Sequence, residues 1–204
     1  IEPGSGGLVQ AMRPLLEEHG GRWIGWPGTT APPSAGWPEK VEGFQQEQPF
    51  DLVTVEQSEQ EHRGFYAGFA NRVLWPLFHG LSDRCTFRRE YWEAYRHMNE
   101  KFADAVSSVH EPGDVTWVHD YHLMVLPRYL KGGVESDSVG FFLHIPFPEP
   151  DQFRRLPWSA ELLEGLLGYD LLGFQSRRDL ENFARTVERT TDAALDEFVR
   201  KVRI

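Results

Sequence analysis

Cysteine is nearly absent from this sequence, and its scarcity excludes a fold built on internal disulfides. Cys85 is the single cysteine among 204 residues, which is typical of proteins from a reducing compartment. For such a residue, a role as a small buried hydrophobe is more common than a role as a nucleophile. No apolar run approaches the roughly 20 residues that cross a bilayer, and the first residues lack the charged-then-apolar pattern of a signal peptide. We therefore expect a cytoplasmic location and no membrane partner.

Positive charge is also in short supply. The sequence has 21 Lys and Arg residues against 31 Asp and Glu residues, a formal net charge of -10 at pH 7, and its pI is about 5.3. A surface of this kind repels nucleic acid, which is therefore not an expected partner. An anionic small ligand would need a local cluster of hydrogen-bond donors. Homo-oligomer formation is left open, because an apolar face that meets another copy cannot be told from one that meets another domain.

Metal-ligand spacing is missing as well, apart from one pair of histidines. His119 and His122 follow an apolar run directly, and we interpret them as a strand-end pair, not as metal ligands. We therefore expect neither a metal nor a cofactor. The sequence has no internal repeat, and its length fits one good-sized domain.

Two short apolar runs end abruptly in ionisable residues. Residues 115–118 lead into His119 and Asp120, and residues 139–143 lead into His144. Buried parallel strands have this pattern, and they deliver side chains to one edge of an open sheet, where ligands bind. The convergence predicts that Asp120 and His144 lie together in a site. The alternative is that these are strand-end polar groups satisfied by the backbone.

The rest of the chain predicts alternating strands and helices, which is an α/β pattern. Residues 123–131 predict a helix closed by glycine, which would complete a strand–helix–strand unit with a right-handed parallel crossover. Ser159 and Ser176 are predicted helix N-caps. The other predicted elements are helices at 8–19, 64–79, 90–107, 159–167 and 176–187, and strands at 20–28, 50–55 and 168–175.

A glycine-rich loop precedes the first predicted helix. Backbone N–H groups at Gly6 and Gly7 would face an anion such as a phosphate at the positive end of that helix. The commoner meaning of glycine before a helix is a simple turn. A nucleotide-binding sheet has a strand before such a loop, and none is evident here.

Several stretches together resemble the trehalose-6-phosphate synthases, which are retaining glycosyltransferases of the two-domain GT-B architecture. The matching segments are SGGL (5–8), WIGW (23–26), FY (65–66), NRVLWPLFH (71–79), NEKFA (99–103), WVHDYHL (117–123), GFFLHIPFP (140–148) and DLLGFQ (170–175). They follow the family's order over most of residues 5–187, which is far more specific than any one motif. The resemblance implies an α/β fold with a Rossmann-like parallel sheet flanked by helices, as in the N-terminal half of a GT-B glycosyltransferase.

The same resemblance implies a reaction. Glucose would be transferred from UDP-glucose to glucose 6-phosphate, giving trehalose 6-phosphate with the donor's stereochemistry retained. Members of the family are thought to use front-side attack, in which the leaving phosphate helps to take the acceptor proton. Asp120 would then orient the acceptor and would form no covalent intermediate.

The resemblance also implies which residues bind each substrate. The acceptor sugar phosphate would contact Tyr66, Trp75 and Asp120. The donor would contact Gly6, Gly7 and His144. Asp120 and His144 are the implied catalytic residues. Sugars carry dense hydroxyls and apolar C–H faces, so a carboxylate together with aromatic side chains is suitable chemistry.

Two parts of the family pattern are missing from the sequence. A strand with an arginine for the acceptor phosphate would precede Ile1, and a second, donor-binding domain would follow. We therefore interpret residues 1–189 as an N-terminal acceptor-side domain and residues 190–204 as a helical tail or the start of a linker. The chain alone would be incomplete for catalysis. The alternatives are a transferase with another phosphorylated acceptor, such as glycerol 3-phosphate or a pseudo-sugar phosphate, and a non-catalytic sugar-phosphate-binding or regulatory module.

Overall fold

The computed structural model describes residues 7–30, 42–43, 45–46, 48–134 and 138–190. The chain divides into two compact units, Ile1–Glu59 and Gln60–Ile204. The extent of one domain over residues 1–189 stays a prediction, and the predicted tail lies outside the described residues beyond Thr190. Of the helices that are described, none is long and apolar enough to cross a membrane.

The first unit contains a helix followed by two paired strands. Helix α1 (Gly7–His19) is followed by Gly20, whose φ is 71° and whose N–H donates to the Leu16 carbonyl at 2.9 Å. This is a glycine C-cap. Strands β1 (Arg22–Gly25) and β2 (Asp51–Thr54) pair in parallel. All three confirm elements predicted from the sequence, although the strands are shorter.

A three-stranded parallel sheet forms the centre of the second unit. Strands β3 (Val115–His119), β4 (Ser138–Leu143) and β5 (Leu171–Phe174) lie in the order β3-β4-β5. Alternate residues of β4 are buried, as expected for a strand with one face in the core. Because the strands are parallel, β3 and β4 end at the same edge, where His119 lies opposite Phe142.

One continuous helical segment changes type along its length. Helix α2 (Glu59–Gly64) leads into a π-helix (Phe65–Leu74) and then into α3 (Trp75–Phe78). The Trp75 N–H donates to the Ala70 carbonyl, five residues back. The helix predicted at 64–79 is thus confirmed, but its π geometry was not predicted. Such turns are rare and are frequently found at functional sites.

Two glycines bring this segment close to α4 (Arg89–Val109), which begins after a short 3₁₀ helix at Ser82–Arg84. A Cβ on Gly64 would lie 2.6 Å from the Cβ of Ala94, and a Cβ on Gly68 would lie 2.7 Å from a ring carbon of Tyr91. A larger residue at either glycine would push the two helical segments apart. Helix α4 confirms the amphipathic helix predicted at 90–107, and its buried apolar residues include Trp92, Tyr95, Met98, Phe102 and Val106.

The helix predicted at residues 123–131 is wrong. A 3₁₀ helix occupies only Leu126–Tyr129, and the Arg128 N–H donates to the Val125 carbonyl three residues back, at 3.2 Å. Pro127 has no N–H to donate, and side chains from other elements bond the preceding backbone, as described below. Gly132, with φ of 72°, follows this short segment where the closing glycine was predicted.

Three further helices follow along the chain: α5 (Pro150–Phe153), α6 (Ser159–Leu167) and α7 (Arg177–Thr190). The sequence predicted an N-cap for each of the last two. Ser159 is not the N-cap of α6. Trp158 holds that position without a side-chain cap, because its carbonyl accepts the first helical hydrogen bond, from the Leu162 N–H at 3.0 Å. Ser176 does cap α7, since its hydroxyl oxygen accepts the Asp179 N–H at 3.3 Å.

Candidate functional site

Asp120 and His144 follow adjacent strands at one edge of the sheet. The Oδ1 atom of Asp120 accepts hydrogen bonds from the backbone N–H groups of Tyr121 at 3.0 Å and His144 at 3.3 Å. The Asp120 N–H donates to the Phe142 carbonyl at 2.8 Å. The predicted proximity of Asp120 and His144 is confirmed, and their catalytic roles stay predictions.

The backbone of Asp120 has an unusual conformation. Its φ of 70° is the only positive value at a non-glycine residue within the described ranges, and such conformations cost roughly 1–3 kcal/mol and cluster at functional sites. Burial raises the pKa of the Asp120 carboxyl, and the Tyr121 N–H, His144 and His79 oppose that rise. The Oδ2 atom has no hydrogen bond to the described residues. The sequence left open the alternative that strand-end polar groups are satisfied by the backbone. For Asp120, within the described residues, this is true of one carboxylate oxygen, Oδ1, and not of Oδ2.

His119 and His144 form an imidazole pair beside Asp120. The Nδ1 atom of His119 lies 3.0 Å from Nε2 of His144. Burial, and then the charge of His144, lowers the pKa of His119 to about 4, so His119 is neutral at neutral pH. Its Nε2 is buried and has no hydrogen-bond partner in the part of the chain that the structure describes. This contact was not predicted, because strand spacing shows only that the two residues share an edge.

Tyr66, a predicted acceptor-binding residue, lies in a stack of rings near the start of the π-helix. Its side chain is 39% exposed, and its ring stacks on His122 at 5.4 Å with an interplanar angle of 9°. The ring also stacks on His62 at 5.1 Å. Burial lowers the pKa of His122 to about 4, so the imidazole of His122 that packs on Tyr66 is neutral at neutral pH. The tyrosine ring is thus held by neighbouring imidazoles while part of its surface stays exposed to solvent.

Trp75, the other predicted acceptor-binding aromatic, begins α3 and is 40% exposed. Its ring stacks on His79, one turn later, with 4.2 Å between the centroids. The Nδ1 atom of His79 lies 2.7 Å from the Trp75 carbonyl oxygen. A charge on His79 would lower the pKa of Asp120, so Trp75 packs on a residue that is electrostatically linked to Asp120. Sequence reasoning did not assign His79 to the site.

Asn71 connects the π-helix with the loop that follows β3. Its Nδ2 donates to the Tyr66 carbonyl at 2.9 Å, and its Oδ1 accepts a hydrogen bond from the Tyr121 hydroxyl at 3.1 Å. One side chain therefore joins the aromatic residues of the predicted site to its strand-end residues. Asn71 belongs to a matched segment of the sequence but was not predicted to have this role.

Two buried tyrosines hold the loop after β3. The Tyr95 hydroxyl donates to the Tyr121 carbonyl at 2.8 Å and accepts the Met124 N–H at 3.0 Å. The Tyr169 hydroxyl donates to the Leu123 carbonyl at 2.5 Å. These bonds satisfy backbone groups that would otherwise lack partners in a buried, non-helical segment. Desolvation raises the pKa of both tyrosines, which keeps their hydroxyls protonated.

Asn99 of α4 completes this support. Its Nδ2 donates to the His122 carbonyl at 3.0 Å, and its Oδ1 accepts the Val125 N–H at 3.3 Å. Asn99 is fully buried, and a polar residue on the buried face of an amphipathic helix was the signal that could have identified it. From the sequence, the helix predicted at 90–107 was assigned no role, and this function was missed.

The loop that follows β4 is fixed in the same way, by α7. The Asp179 carboxylate accepts the Phe147 N–H at 2.9 Å, and the Asn182 side chain donates to the Phe147 carbonyl at 2.9 Å. Both side chains are buried. The backbone is thus held a few residues beyond His144, which restricts how far that imidazole can move.

The two predicted donor-binding glycines stand near the start of the sequence. Gly6 lies outside the described residues, and Gly7 is the first residue of α1 in the first unit, so their role stays a prediction. Across the described ranges, no three His, Cys, Asp or Glu side chains are grouped to hold a metal ion. The expectation of no metal and no cofactor also stays a prediction.

The fold defines an α/β protein with parallel sheets flanked by helices, in which ionisable and aromatic side chains meet at a strand edge. The family model of Glycosyltransferase family 20 matches residues 1–203, and the chain belongs to this family. It is similar to the bifunctional trehalose-6-phosphate synthase/phosphatase of Thermoproteus tenax, with 43% identity over 201 residues that cover 93% of this chain and 26% of that protein.

Solved structures show the same similarity. An E. coli structure bound with UDP-2-fluoro glucose has 36% identity and a TM-score of 0.82, covering 95% of this chain and 42% of that one. An α,α-trehalose-phosphate synthase (UDP-forming) from Burkholderia xenovorans, in complex with glucose-6-phosphate, has 32% identity and a TM-score of 0.78, covering 92% and 40%. This chain therefore spans well under half the length of the proteins that it matches.

Proposed function

We propose that this chain supplies the acceptor side of an enzyme that transfers glucose from UDP-glucose to glucose 6-phosphate, giving trehalose 6-phosphate with retention. The observation that carries the proposal is Asp120, whose Oδ1 is held by two backbone amides while Oδ2 stays available. Family membership and relatives that bind glucose-6-phosphate or UDP-2-fluoro glucose support it. A second domain that binds the nucleotide is the partner this proposal requires.

In this proposal the acceptor binds between the carboxylate and the aromatic side chains. Oδ2 of Asp120 accepts a hydrogen bond from a sugar hydroxyl, because an ionised carboxylate is an acceptor with no proton of its own to give. Tyr66 and Trp75 provide exposed ring surface for the apolar C–H face of the sugar and, through the Tyr66 hydroxyl, a further polar contact. The ring stacks on His122 and His79 hold both aromatics in place.

On the donor side, His144 faces the transferred glucose, and the backbone N–H groups of Gly6 and Gly7 lie against the diphosphate. The C1–O bond to the phosphate breaks while the acceptor oxygen attacks C1 from the same face. The departing phosphate oxygen takes the acceptor proton, so no protein base is needed. Asp120 orients the acceptor, and stabilisation of the leaving diphosphate by fixed hydrogen-bond donors lowers the barrier.

The proposal is tested by UDP release from UDP-glucose, using the protein expressed from its complete reading frame. We expect release that depends on glucose 6-phosphate and falls about tenfold or more in Asp120→Asn and in Tyr66→Phe, because each loses one buried polar contact with the acceptor. Asp104→Asn and Tyr129→Phe are matched controls, since Asp104 pairs with Lys131 at the surface and Tyr129 with Arg96. Both controls should leave the rate unchanged.

The same assay distinguishes the alternatives. Equal or faster UDP release with glycerol 3-phosphate in place of glucose 6-phosphate would indicate a transferase with another phosphorylated acceptor. Saturable binding of glucose 6-phosphate without UDP release would indicate a sugar-phosphate-binding or regulatory module. Either result would contradict the reaction proposed here.

A further inference from the structure

The imidazoles of His119 and His144 can share only one hydrogen at their contact. Their Nδ1 and Nε2 atoms are 3.0 Å apart, which is hydrogen-bond distance, so one nitrogen donates and the other accepts. Either His119 donates from Nδ1, or His144 donates from Nε2. The two arrangements place the ring proton of His144 on different nitrogens.

The second nitrogen of His119 decides between them. Its Nε2 is buried and, within the described ranges, has no hydrogen-bond partner. If His144 donated, neutral His119 would have to carry its own proton on Nε2, as a buried N–H without an acceptor. If His119 donates from Nδ1, Nε2 is a bare acceptor. Buried N–H groups without partners are rarer in proteins than under-satisfied acceptors, so His119 is the donor.

The surroundings hold this arrangement in place without a ligand. His119 is the last residue of β3 and pairs in register with Phe142 of β4, and its ring packs on Trp117 at 4.7 Å. The His144 ring packs on Phe142 at 4.8 Å, and its backbone N–H is bonded to Asp120. His119 is neutral because burial lowers its pKa to about 4, so it carries a single ring proton to donate.

We propose that His119 is a positioning residue that fixes the ring proton of His144 on Nδ1. The Nε2 atom of His144 is then occupied as an acceptor, and its Nδ1–H, which has no hydrogen-bond partner in the described part of the chain, is presented to a ligand oxygen. The partner of one imidazole nitrogen sets the proton position on the other. The part played by this donor toward the transferred sugar depends on the function proposed above, whereas the tautomer itself does not.

The tautomer is observable directly by long-range ¹H–¹⁵N NMR of the histidine-labelled chain at neutral pH, without substrates. His144→Gln and His119→Leu identify the two sets of signals. We expect His144 to show a protonated Nδ1 and an unprotonated Nε2, and His119 to show the same pattern. A protonated Nε2 on His144 in the unmodified protein would overturn the proposal.

Two nearly isosteric variants test whether His119 fixes the position of the ring proton on His144. His119→Leu removes the donor, and His119→Asn places an amide N–H₂ near the position of Nδ1. We expect His144 to become a mixture of tautomers in the leucine variant and to keep the Nδ1–H form in the asparagine variant. An unchanged His144 spectrum in His119→Leu would show that another group sets the tautomer.

Turnover provides the second measurement. We expect His119→Leu to lower kcat/KM for UDP-glucose about tenfold while the KM for glucose 6-phosphate stays within about twofold, with most of the loss restored in His119→Asn. Equal loss toward both substrates would indicate a structural role and overturn the positioning role. Absence of transfer in the unmodified protein, with the expected tautomer present, would count against the proposed function and leave the tautomer assignment standing.

Discussion

Asp120 combines two features that work against stability, a positive φ and a buried carboxylate. Both occur at the point where the sheet edge offers a free oxygen, and the two backbone amides at Oδ1 offset only part of the cost. Burial raises the pKa of this carboxyl, which means that its charged form is disfavoured in the folded protein. At a pH above the raised pKa, the charge lowers the free energy of unfolding.

Asp120→Asn should therefore leave stability intact while acceptor use is lost. Asparagine keeps an oxygen for the two amides, tolerates a positive φ and removes the buried charge, so the free energy of unfolding at pH 7 should stay equal or rise by up to about 1 kcal/mol. Urea unfolding measures this. Asp120→Ala also removes the oxygen that the two backbone amides bond to, so its free energy of unfolding should fall by about 1–3 kcal/mol. A loss in Asp120→Asn as large as in Asp120→Ala would mean that the charge itself is structural.

At the scale of elements, the site depends on irregular segments that regular ones hold in place. The loop after β3 has a few turn-type backbone hydrogen bonds, such as that from the Leu123 N–H to the Asp120 carbonyl at 3.4 Å. Helix α4 provides two further supports, Tyr95 and Asn99. The π-helix is tied to the same loop through Asn71. The edge of the sheet that carries Asp120 and His144 is thus preorganised by side chains from elements that are distant in sequence.

Asn99→Leu tests this support with little change in shape. The His122 carbonyl and the Val125 N–H would lose their partners in a buried environment, which should lower the free energy of unfolding by about 2–4 kcal/mol. Ser108→Ala on the same helix is the control, because the Ser108 hydroxyl is exposed and bonds only its own helix, at Ala105. That variant should change stability by less than about 0.5 kcal/mol. Chemical unfolding measures the free energy of unfolding of both variants. Equal losses in the two variants would contradict the role of Asn99 in supporting the loop after β3.

At the scale of the whole molecule, buried neutral histidines make stability depend on pH. His119 and His122 have pKa values lowered to about 4 from an ordinary 6.5, so between pH 6.5 and 4 the unfolded chain binds more protons than the folded one. The contribution of these two histidines to stability therefore falls as the pH drops through this window. Asp120, with its raised pKa, acts in the opposite direction, because its protonation at low pH relieves a buried charge.

Most of the expected effect comes from His122, whose Nε2 atom is buried and whose contribution is at most about 3 kcal/mol across that window. His119 contributes less, because its ring is half-buried and partly screened by solvent. His122→Phe keeps a ring against Tyr66 and should flatten the dependence. Chemical unfolding at pH 7, 6 and 5 gives the free energy of unfolding of the unmodified protein and of His122→Phe. An equal change with pH in the two proteins would show that His122 does not cause the pH dependence.

The sequence by itself determined the α/β order of elements, the parallel strands, the meeting of Asp120 and His144, and the family. These follow from local information: apolar runs of strand length, helical spacing, and an ordered series of motifs. The cap at Ser176 was predictable for the same reason, since its partner Asp179 is three residues away.

Only the tertiary structure decided the π-helix, the loop at 121–125 and the contact between His119 and His144. Residues 123–131 have a helical composition, yet their backbone is bonded by side chains such as Asn99, 26 residues from Val125, and Tyr169, 46 residues from Leu123. Local propensity is too weak to resist such contacts. The proton on His144 is likewise set by a nitrogen 25 residues away, and no spacing in the sequence records which ring atom faces which.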